Sequence, residues 1–336
     1  MKLFLDVMYD DTKNARKIKS CDYNNEGKYP IIDQSSKNVI GYTDEIDGLY
    51  KDVPVIIFGD HTRRFKLVEE PFFIGADGTK VLKLCSSVYD YKFIYYYLLY
   101  KKIPNTGYNR HFKWIKELEF PEIPRSIQSD IVKKFEILNN LISSKNKLLE
   151  LFDILLKSRF VEMFGDITER GQFKVKRWKD VLDIFNGKDY KTVQVDKGGY
   201  PVYGSGGIIA RAREYICPAK TIIIGRKGSI NNPILVNEKF WNVDTAFGIV
   251  PNETININYL FYFCKQYNFN HLNKATTLPS LTKRDLLEIE INIPSIEEQE
   301  MFSRFVGQIN KLKVDVQKSI DETQLLMDSL MQEYFG

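Results

Sequence analysis

The chain says the same thing twice, at spacings of 166–171 residues. Tyr29-Pro30 opens KYPIID, and Tyr200-Pro201 opens GYPVYG. Ile56-Ile57-Phe58-Gly59 recurs as Ile222-Ile223-Ile224-Gly225, and the aromatic run FIYYYLLY at 93–100 recurs as YLFYFCKQ at 259–266. Glu119-Phe120-Pro121-Glu122-Ile123-Pro124 is answered by Ile289-Glu290-Ile291-Asn292-Ile293-Pro294. Glu162-Met163-Phe164-Gly165 is answered by Glu333-Tyr334-Phe335-Gly336. A period near half of 336 residues is too long for a solenoid. It implies two copies of one domain-plus-helix unit, a pseudo-dimer suited to a target that itself has two halves.

Each copy divides in the same way. Residues 1–124 read as mixed α/β with short strands: Val53–Phe58, Phe72–Ile74, Lys80–Leu84 and a closing strand over Glu117–Ile123, with a helix over Asp90–Lys101. Residues 125–165 change texture, with no Pro or Gly from Ser126 to Phe164. Apolar residues fall there at Ile131, Phe135, Leu138, Ile142, Leu149, Phe152, Leu156 and Met163. The steps alternate four and three, and Lys145 and Arg159 fill the two remaining slots. That is a heptad seam, the mark of one long helix pairing with another. Ser126 is the expected N-cap and Gly165 the expected C-cap.

Residues 166–294 repeat the first module, with strands over Thr221–Ile224, Ile234–Val236, Phe247–Val250 and Glu288–Ile293 and a helix over Asn258–Tyr267. The lead-in differs: 28 residues precede Tyr29-Pro30, against 34 between Gly165 and Tyr200. Residues 295–336 form the second long helix, with Ser295 and Glu298 as a capping box. Its seam is expected at Phe302, Phe305, Ile309, Leu312, Val316, Ser319, Thr323, Leu326 and Leu330. Since neither helix has another partner of its length, the two seams are expected to pair. At 1.5 Å per residue, about 39 residues span roughly 58 Å, or about 17 bp of duplex at 3.4 Å per base pair.

Motifs for chemistry are missing. Gly225-Arg226-Lys227-Gly228-Ser229 lacks the phosphate-loop spacing GxxxxGK[ST]. There is no Asn/Asp-Pro-Pro-aromatic tetrad of amino-methyltransferases and no Gly-rich nucleotide turn. Cys21, Cys85, Cys217 and Cys264, with His61, His111 and His271, show no metal or disulfide spacing. No nucleophile–base cluster recurs in both copies. The longest apolar run, 93–100, is far short of a membrane span, and the start MKLFLDVMYDD is no signal peptide, so the cytosol is the expected setting. The chain is expected to bind rather than catalyse.

What recurs is a loop rich in Gly and cations after the central strand. It runs Gly59-Asp60-His61-Thr62-Arg63-Arg64 in the first copy and Gly225-Arg226-Lys227-Gly228-Ser229-Ile230-Asn231-Asn232 in the second. Glycine permits close backbone approach, Arg pairs with guanine or phosphate, and Asn can read adenine. Near the Tyr-Pro strand lie Lys37 in one copy and Ser205, Arg211 and Arg213 in the other. A third cluster precedes the closing strand, Asn109-Arg110-His111 in one copy and Lys274-Ala275-Thr276-Thr277 in the other. The candidate DNA-contacting residues are therefore Lys37, His61, Arg63, Arg64, Asn109, Arg110, Ser205, Arg211, Arg213, Arg226, Lys227, Lys274 and Thr277. Positions agree while residues differ, as expected if each copy reads a different sequence. The net charge of +4 is compatible with nucleic acid and does not by itself argue for it.

The phrases PVYGSGGIIA, TIIIGRKGS, FWNVDTAF, LPSLTKRDLLEIEINIPSIEEQ and the EYFG ending resemble the specificity subunit of Type I restriction–modification systems. So do YPIIDQSS, VIIFGDHTRR, FIGADGTKVL and EIPRSIQSDIV, and the resemblance covers the whole chain. It implies an α+β protein in which two target-recognition domains are separated by two long helices that pair as an antiparallel coiled coil. Each domain would read one half of a split duplex site, with the helices as the ruler. The resemblance implies no catalysis and no bound cofactor in this chain. It implies two methyltransferase subunits and translocase/nuclease subunits as partners, which carry S-adenosylmethionine, ATP and Mg. A Type IIB-like recognition subunit shares this architecture. A coiled-coil scaffold with two peptide-binding modules is the reading from another class, and an outright enzyme is a third.

Overall fold

A computed structural model describes residues 1–75, 77–107, 109–167, 169, 173–273 and 279–336. The chain forms two compact units, Met1–Lys145 with Ser319–Gly336, and Asn146–Lys318.

The first unit begins with β1 (Lys2–Leu3), α1 (Phe4–Val7) and β2 (Met8–Asp10), followed by β3 (Tyr29–Ile32) and β4 (Gly41–Thr43). Next come β5 (Val55–Gly59), β6 (Phe65–Val68), β7 (Phe73–Ile74), β8 (Thr79–Leu84) and α2 (Tyr91–Tyr100). The unit closes with α3 (Phe112–Lys116), β9 (Glu119–Phe120) and the start of α4 (Arg125–Phe164). Its main sheet has the order β2-β8-β5-β6, a second sheet the order β4-β3-β7, and β1 pairs with β9. The short lead-in is thereby tied down, with Lys2 opposite Phe120 and Leu3 opposite Glu119.

The second unit repeats this plan. Its elements are β10 (Lys174–Arg177), β11 (Leu182–Asn186), β12 (Gln194–Val195), β13 (Tyr200–Gly204), β14 (Gly207–Ala212), β15 (Thr221–Gly225) and β16 (Ile234–Val236). They continue with β17 (Trp241–Asn242), β18 (Ala246–Pro251), α5 (Ile257–Gln266), α6 (Lys283–Leu287), β19 (Glu290–Ile293) and α7 (Ile296–Phe335). The sheets run β11-β18-β15-β16, β12-β14-β13-β17 and β10-β19. Strand for strand this is the first unit, with β12 added at one edge.

The central strand explains why its sequence is apolar without alternation. Ile56 and Phe58 point to a core with Phe93, Ile94 and Tyr97 of α2. Val55 and Ile57 point the other way, to Ile32, Phe72 and Ile74. A strand covered on both faces has no polar side. In the second unit Ile222 and Ile224 join the α5 core, while Ile223 faces Cys217 and Phe240.

Several element ends shift by a residue or two from the sequence reading, as at Val55–Gly59 and Glu290–Ile293, and two differences have a local cause. The closing strand of the first unit holds only Glu119–Phe120, because Glu117 and Leu118 still belong to the turn leaving α3, where Leu118 N–H bonds the Ile115 carbonyl. Helix α4 starts at Arg125, so Ser126 lies inside the first turn and is not its cap. Ser295 does close a capping box: its N–H donates to Glu298 Oε2 at 2.9 Å, and Glu298 N–H donates to Ser295 Oγ at 3.3 Å. Gly165 takes φ +80°, the left-handed ending of a helix.

The long helices run antiparallel within each unit. In the first, Lys145 Nζ donates to Ser319 Oγ (2.6 Å) and Thr323 Oγ1 (3.1 Å), while Lys134 Nζ reaches the Tyr334 hydroxyl at 2.7 Å. Phe135 stacks on Phe335 beside Ile131, with Leu138 and Leu330 at the margin. In the second, Lys313 Nζ bonds Asp153 Oδ1 at 2.6 Å, and Leu156 and Phe160 pack with Phe302, Val306 and Ile309, flanked by Phe152 and Phe305. Every seam position read on α4 is buried or half-buried, Ile142, Lys145, Leu149 and Arg159 included.

On α7 one column of the expected seam faces inward: Phe302, Ile309, Val316, Thr323 and Leu330. The other column lies four residues on, at Val306, Lys313, Ile320 and Met327, rather than three. Leu312 and Leu326 are therefore not seam residues; they stand 47% and 51% exposed. A seven-residue repeat allows either phase, and two leucines at 312 and 326 favour the wrong one on composition. Lys313 takes a seam slot because its stem is apolar and its ammonium finds Asp153.

One device recurs that the sequence reading misses. Gln128 and Gln299, each the fourth residue of a long helix, are fully buried. Gln128 Oε1 accepts Asp90 N–H (2.9 Å), and its amide donates to the carbonyls of Val88 (3.0 Å) and Ile123 (2.7 Å). Gln299 Oε1 accepts Asn256 N–H (2.7 Å), and its Nε2 amide donates to the carbonyls of Thr254 (3.2 Å) and Pro294 (3.0 Å). Asp90 and Asn256 are the N-caps of α2 and α5. Each glutamine thus clamps its long helix to the aromatic helix of its own domain. Gln299→Ala is expected to cost about 1–3 kcal/mol, since it strands a buried N–H and two carbonyls. Thermal unfolding of the full chain checks this; an unshifted transition removes the clamp from the account.

Candidate nucleic-acid interface

In both units the glycine ending the central strand makes room for the tip of the Tyr-Pro strand. A Cβ on Gly59 would lie 2.1 Å from Thr62 Oγ1 and 2.7 Å from Gln34 Cβ. A Cβ on Gly225 would lie 2.4 Å from the Ser229 carbonyl oxygen and 3.1 Å from Ser205 Cβ. Gln34 and Ser205 stand 171 residues apart, at matching tips. The turn after the central strand and the tip of the neighbouring sheet are therefore one structure, twice.

In the first unit Gln34 stitches three loops. Its Oε1 accepts His61 N–H (3.1 Å), its backbone carbonyl accepts the Thr62 hydroxyl (2.6 Å), and its amide donates to the Asp77 carbonyl (2.8 Å). His61 Nδ1 sits 3.2 Å from the Asn109 carbonyl, which draws in the third cluster. Arg63 adopts φ +59° and donates from Nη1 to the Ile103 carbonyl at 3.3 Å. The exposed Lys37 joins through its own carbonyl, which accepts Lys66 Nζ at 2.5 Å. Lys37, His61, Arg63, Arg64, Asn109 and Arg110 thus share one neighbourhood, with Arg64, Asn109 and Arg110 exposed.

His111 does not belong with the exposed set. It is fully buried, its Nδ1 lies 2.8 Å from the Asp60 carbonyl oxygen, and Asp60 Oδ1 accepts Phe112 N–H at 2.7 Å. The two residues brace the turn against the start of α3.

In the second unit Arg226 and Lys227 are both exposed on the turn after β15. Their N–H groups donate to the Thr245 carbonyl (2.8 and 3.3 Å), and Gly228 N–H donates to the Pro279 carbonyl at 3.0 Å. The Arg226 guanidinium lies 5.9 Å over the Phe247 ring, which orients it. Ser205 is adjacent at the β13–β14 tip. Arg211 is at the opposite end of that hairpin, across from Pro201, with Nη1 donating to the Gly199 carbonyl at 3.2 Å. Arg213 is ion-paired with Glu214 at 3.4 Å. These two arginines form a separate group at the far end of β14, Arg213 one residue beyond it. Lys274 and Thr277 lie outside the described residues.

The sequence reading also passes over Ile208 and Ile209, which are 58% and 55% exposed near the β13–β14 tip. An apolar pair held in solvent beside polar candidates has the form of a contact surface. Among the described residues no helix is long and apolar enough to cross a membrane.

Comparison with known proteins agrees with this organisation. Residues 171–323 match the Type I restriction modification DNA specificity domain. The specificity subunit of the Escherichia coli Type I restriction enzyme EcoR124I/EcoR124II is 23% identical over 338 aligned residues, covering 88% of this chain and 82% of that one. The crystal structure of a Type I restriction–modification S subunit from M. genitalium matches in fold with a TM-score of 0.57 at 20% identity, covering 100% of this chain and 98% of the other. A structure describing complex assembly and conformational transition of the type I restriction–modification system matches with a TM-score of 0.61 at 17% identity, covering 99% and 95%. In sequence and in fold the chain is thus similar to the specificity subunits of Type I restriction–modification systems.

Proposed function

We propose that this chain reads a bipartite duplex DNA site, each repeat taking one half, while the paired helices fix the gap. The observation that carries this reading is the doubled turn-and-tip structure. Its backbone plan is the same in both units, held by Gly59 and Gly225, while its outward residues differ. One scaffold with two side-chain sets is what two unlike half-sites require. The first set is centred on His61, Arg63, Arg64, Asn109, Arg110 and Lys37. The second is centred on Arg226, Lys227 and Ser205, with Arg211 at the far end of β14 and Arg213 just beyond it.

The chain supplies address and not chemistry. Methyl transfer, with S-adenosylmethionine, belongs to two partner methyltransferase subunits. ATP- and Mg-dependent translocation and cleavage belong to nuclease subunits. On α4 within the second unit, Leu148, Leu151 and Leu155 form an exposed apolar stripe at 38%, 49% and 44%, beside the buried seam. Such a stripe supports docking of a methyltransferase subunit, because a helix with a second apolar line has room for another partner.

Arg226 and Lys227 test the reading. Arg226→Ala is expected to cost roughly 1–3 kcal/mol of binding if the guanidinium reads a base. The loss should fall on the second half-site alone, with the first keeping its preference. Unaltered duplex affinity in the Arg226→Ala/Lys227→Ala double variant contradicts the assignment.

A further inference from the structure

A cleft of about 700 Å³ opens in the first unit between the loop after β3, the turn after β5 and the chain leaving α2. Its lining includes five cations, Arg63, Arg64, Lys66, Lys101 and Lys102, and no carboxylate. Three of these are held in place. Arg63 bonds the Ile103 carbonyl, Lys66 Nζ bonds the carbonyls of Asp33 and Lys37, and Lys101 Nζ bonds the Phe335 carbonyl at 3.2 Å. Arg64 and Lys102 are exposed, and neither side chain makes a hydrogen bond or ion pair among the described residues. Ser35, also in the lining, has a buried hydroxyl with no hydrogen-bond partner among those residues.

Like charges brought this close repel. Burial lowers the pKa of Lys66; Asp33 at 3.7 Å opposes that fall and Arg64 adds to it. An anion in the cleft would relieve the crowding.

The second unit treats the same place differently. Lys102 stands two residues beyond α2, and its counterpart two residues beyond α5 is Asn268. Asn231, from the turn after β15, donates through Nδ2 to Asn268 Oδ1 at 3.1 Å and accepts Phe269 N–H at 2.7 Å. There the turn and the post-helix chain are sewn together by neutral groups. In the first unit the same two walls carry cations on both sides.

We propose that this cleft binds a phosphate group, and that the group is a phosphodiester of the DNA backbone. The assignment rests on the DNA-recognition reading above. A guanidinium, an ammonium and a hydroxyl supply donors for phosphate oxygens, and such contacts position a protein on duplex without reading sequence. The first repeat would then hold its half-site partly by backbone grip, where the second closes the equivalent space.

The test uses the full chain and duplex carrying its target, with affinity measured across salt concentration. Arg64→Gln/Lys102→Gln changes two exposed side chains, and an unmoved thermal transition verifies the fold. The expected result is a salt slope shallower by about 1, as for one neutralised phosphate lost. Affinity should fall by the same factor for target and non-target duplex. An unchanged slope overturns the cleft assignment while leaving the DNA-recognition reading intact. A loss confined to target duplex also overturns it, since the pair then reads bases. Inorganic phosphate or a nucleoside triphosphate that binds the unmodified chain at micromolar concentration, and not the variant, reassigns the cleft to a free phosphate. No salt-dependent duplex binding by the unmodified chain overturns the cleft and the DNA-recognition reading together.

Discussion

Phe160→Ala is expected to destabilise the second unit by about 3–5 kcal/mol, the range for emptying a fully buried aromatic site. Phe160 is completely buried and stacks on Tyr259 of α5 at 5.4 Å. It also meets Phe302 of α7 edge-on at 5.5 Å and Phe164 at 5.1 Å. A single ring thus joins the long helices to the domain's aromatic helix. The neighbours lie on three different helices, which hinders collapse onto the cavity and places the cost at the upper end. Leu312→Ala, on the same helix pair but exposed, should move stability by a few tenths of a kcal/mol. Thermal or urea unfolding of the two variants separates them, and equal effects would contradict the packing described here.

Much of this architecture is legible in the sequence because its physical causes are local. The central strands are uninterrupted β-branched runs since both faces are covered. The aromatic helices carry their own caps, Asp90 and Asn256, and α7 announces itself through Ser295 and Glu298. What escapes is what depends on distant partners. Gln128 and Gln299 look like ordinary polar residues in a first helical turn; their burial is visible only once three backbone segments converge on each. The seam of α7 keeps its seven-residue spacing, yet its second column depends on Lys313, a residue that hydrophobic patterning passes over. His111 reads as a cation beside Arg110, while Asp60, 51 positions earlier, holds it inside. Arg211 and Arg213 follow the tip closely in sequence, yet they lie at the far end of β14 and just beyond it. Asn231 stands in the same loop as Arg226 and Lys227, and its amide is spent on Asn268 and Phe269.

The helices are expected to behave as a spacer. Each is 40 residues long, about 60 Å at 1.5 Å per residue. Inserting seven residues after Lys145 and seven after Lys318 keeps both seams in phase, because the pattern repeats every seven. The insertion adds about 10 Å of helix, or roughly 1–3 bp of duplex at 3.4 Å per base pair after slack and duplex twist are accommodated. The loops proposed to contact bases are untouched, so the specific blocks should not change. Inserting seven residues into only one helix leaves the helices unequal, so the cross-helix pairs of Lys145 with Ser319 and of Lys313 with Asp153 cannot both be kept, and assembly should be abolished.

The most direct measurement is genome-wide mapping of methylated positions in cells carrying this chain and the methyltransferase subunit proposed as its partner, for the unmodified protein and the double-heptad variant. The account predicts two short unlike blocks about a fixed unspecified gap, with the variant lengthening the gap by roughly 1–3 bp and preserving both blocks. An active variant with an unchanged gap, or with altered bases in either block, would contradict it.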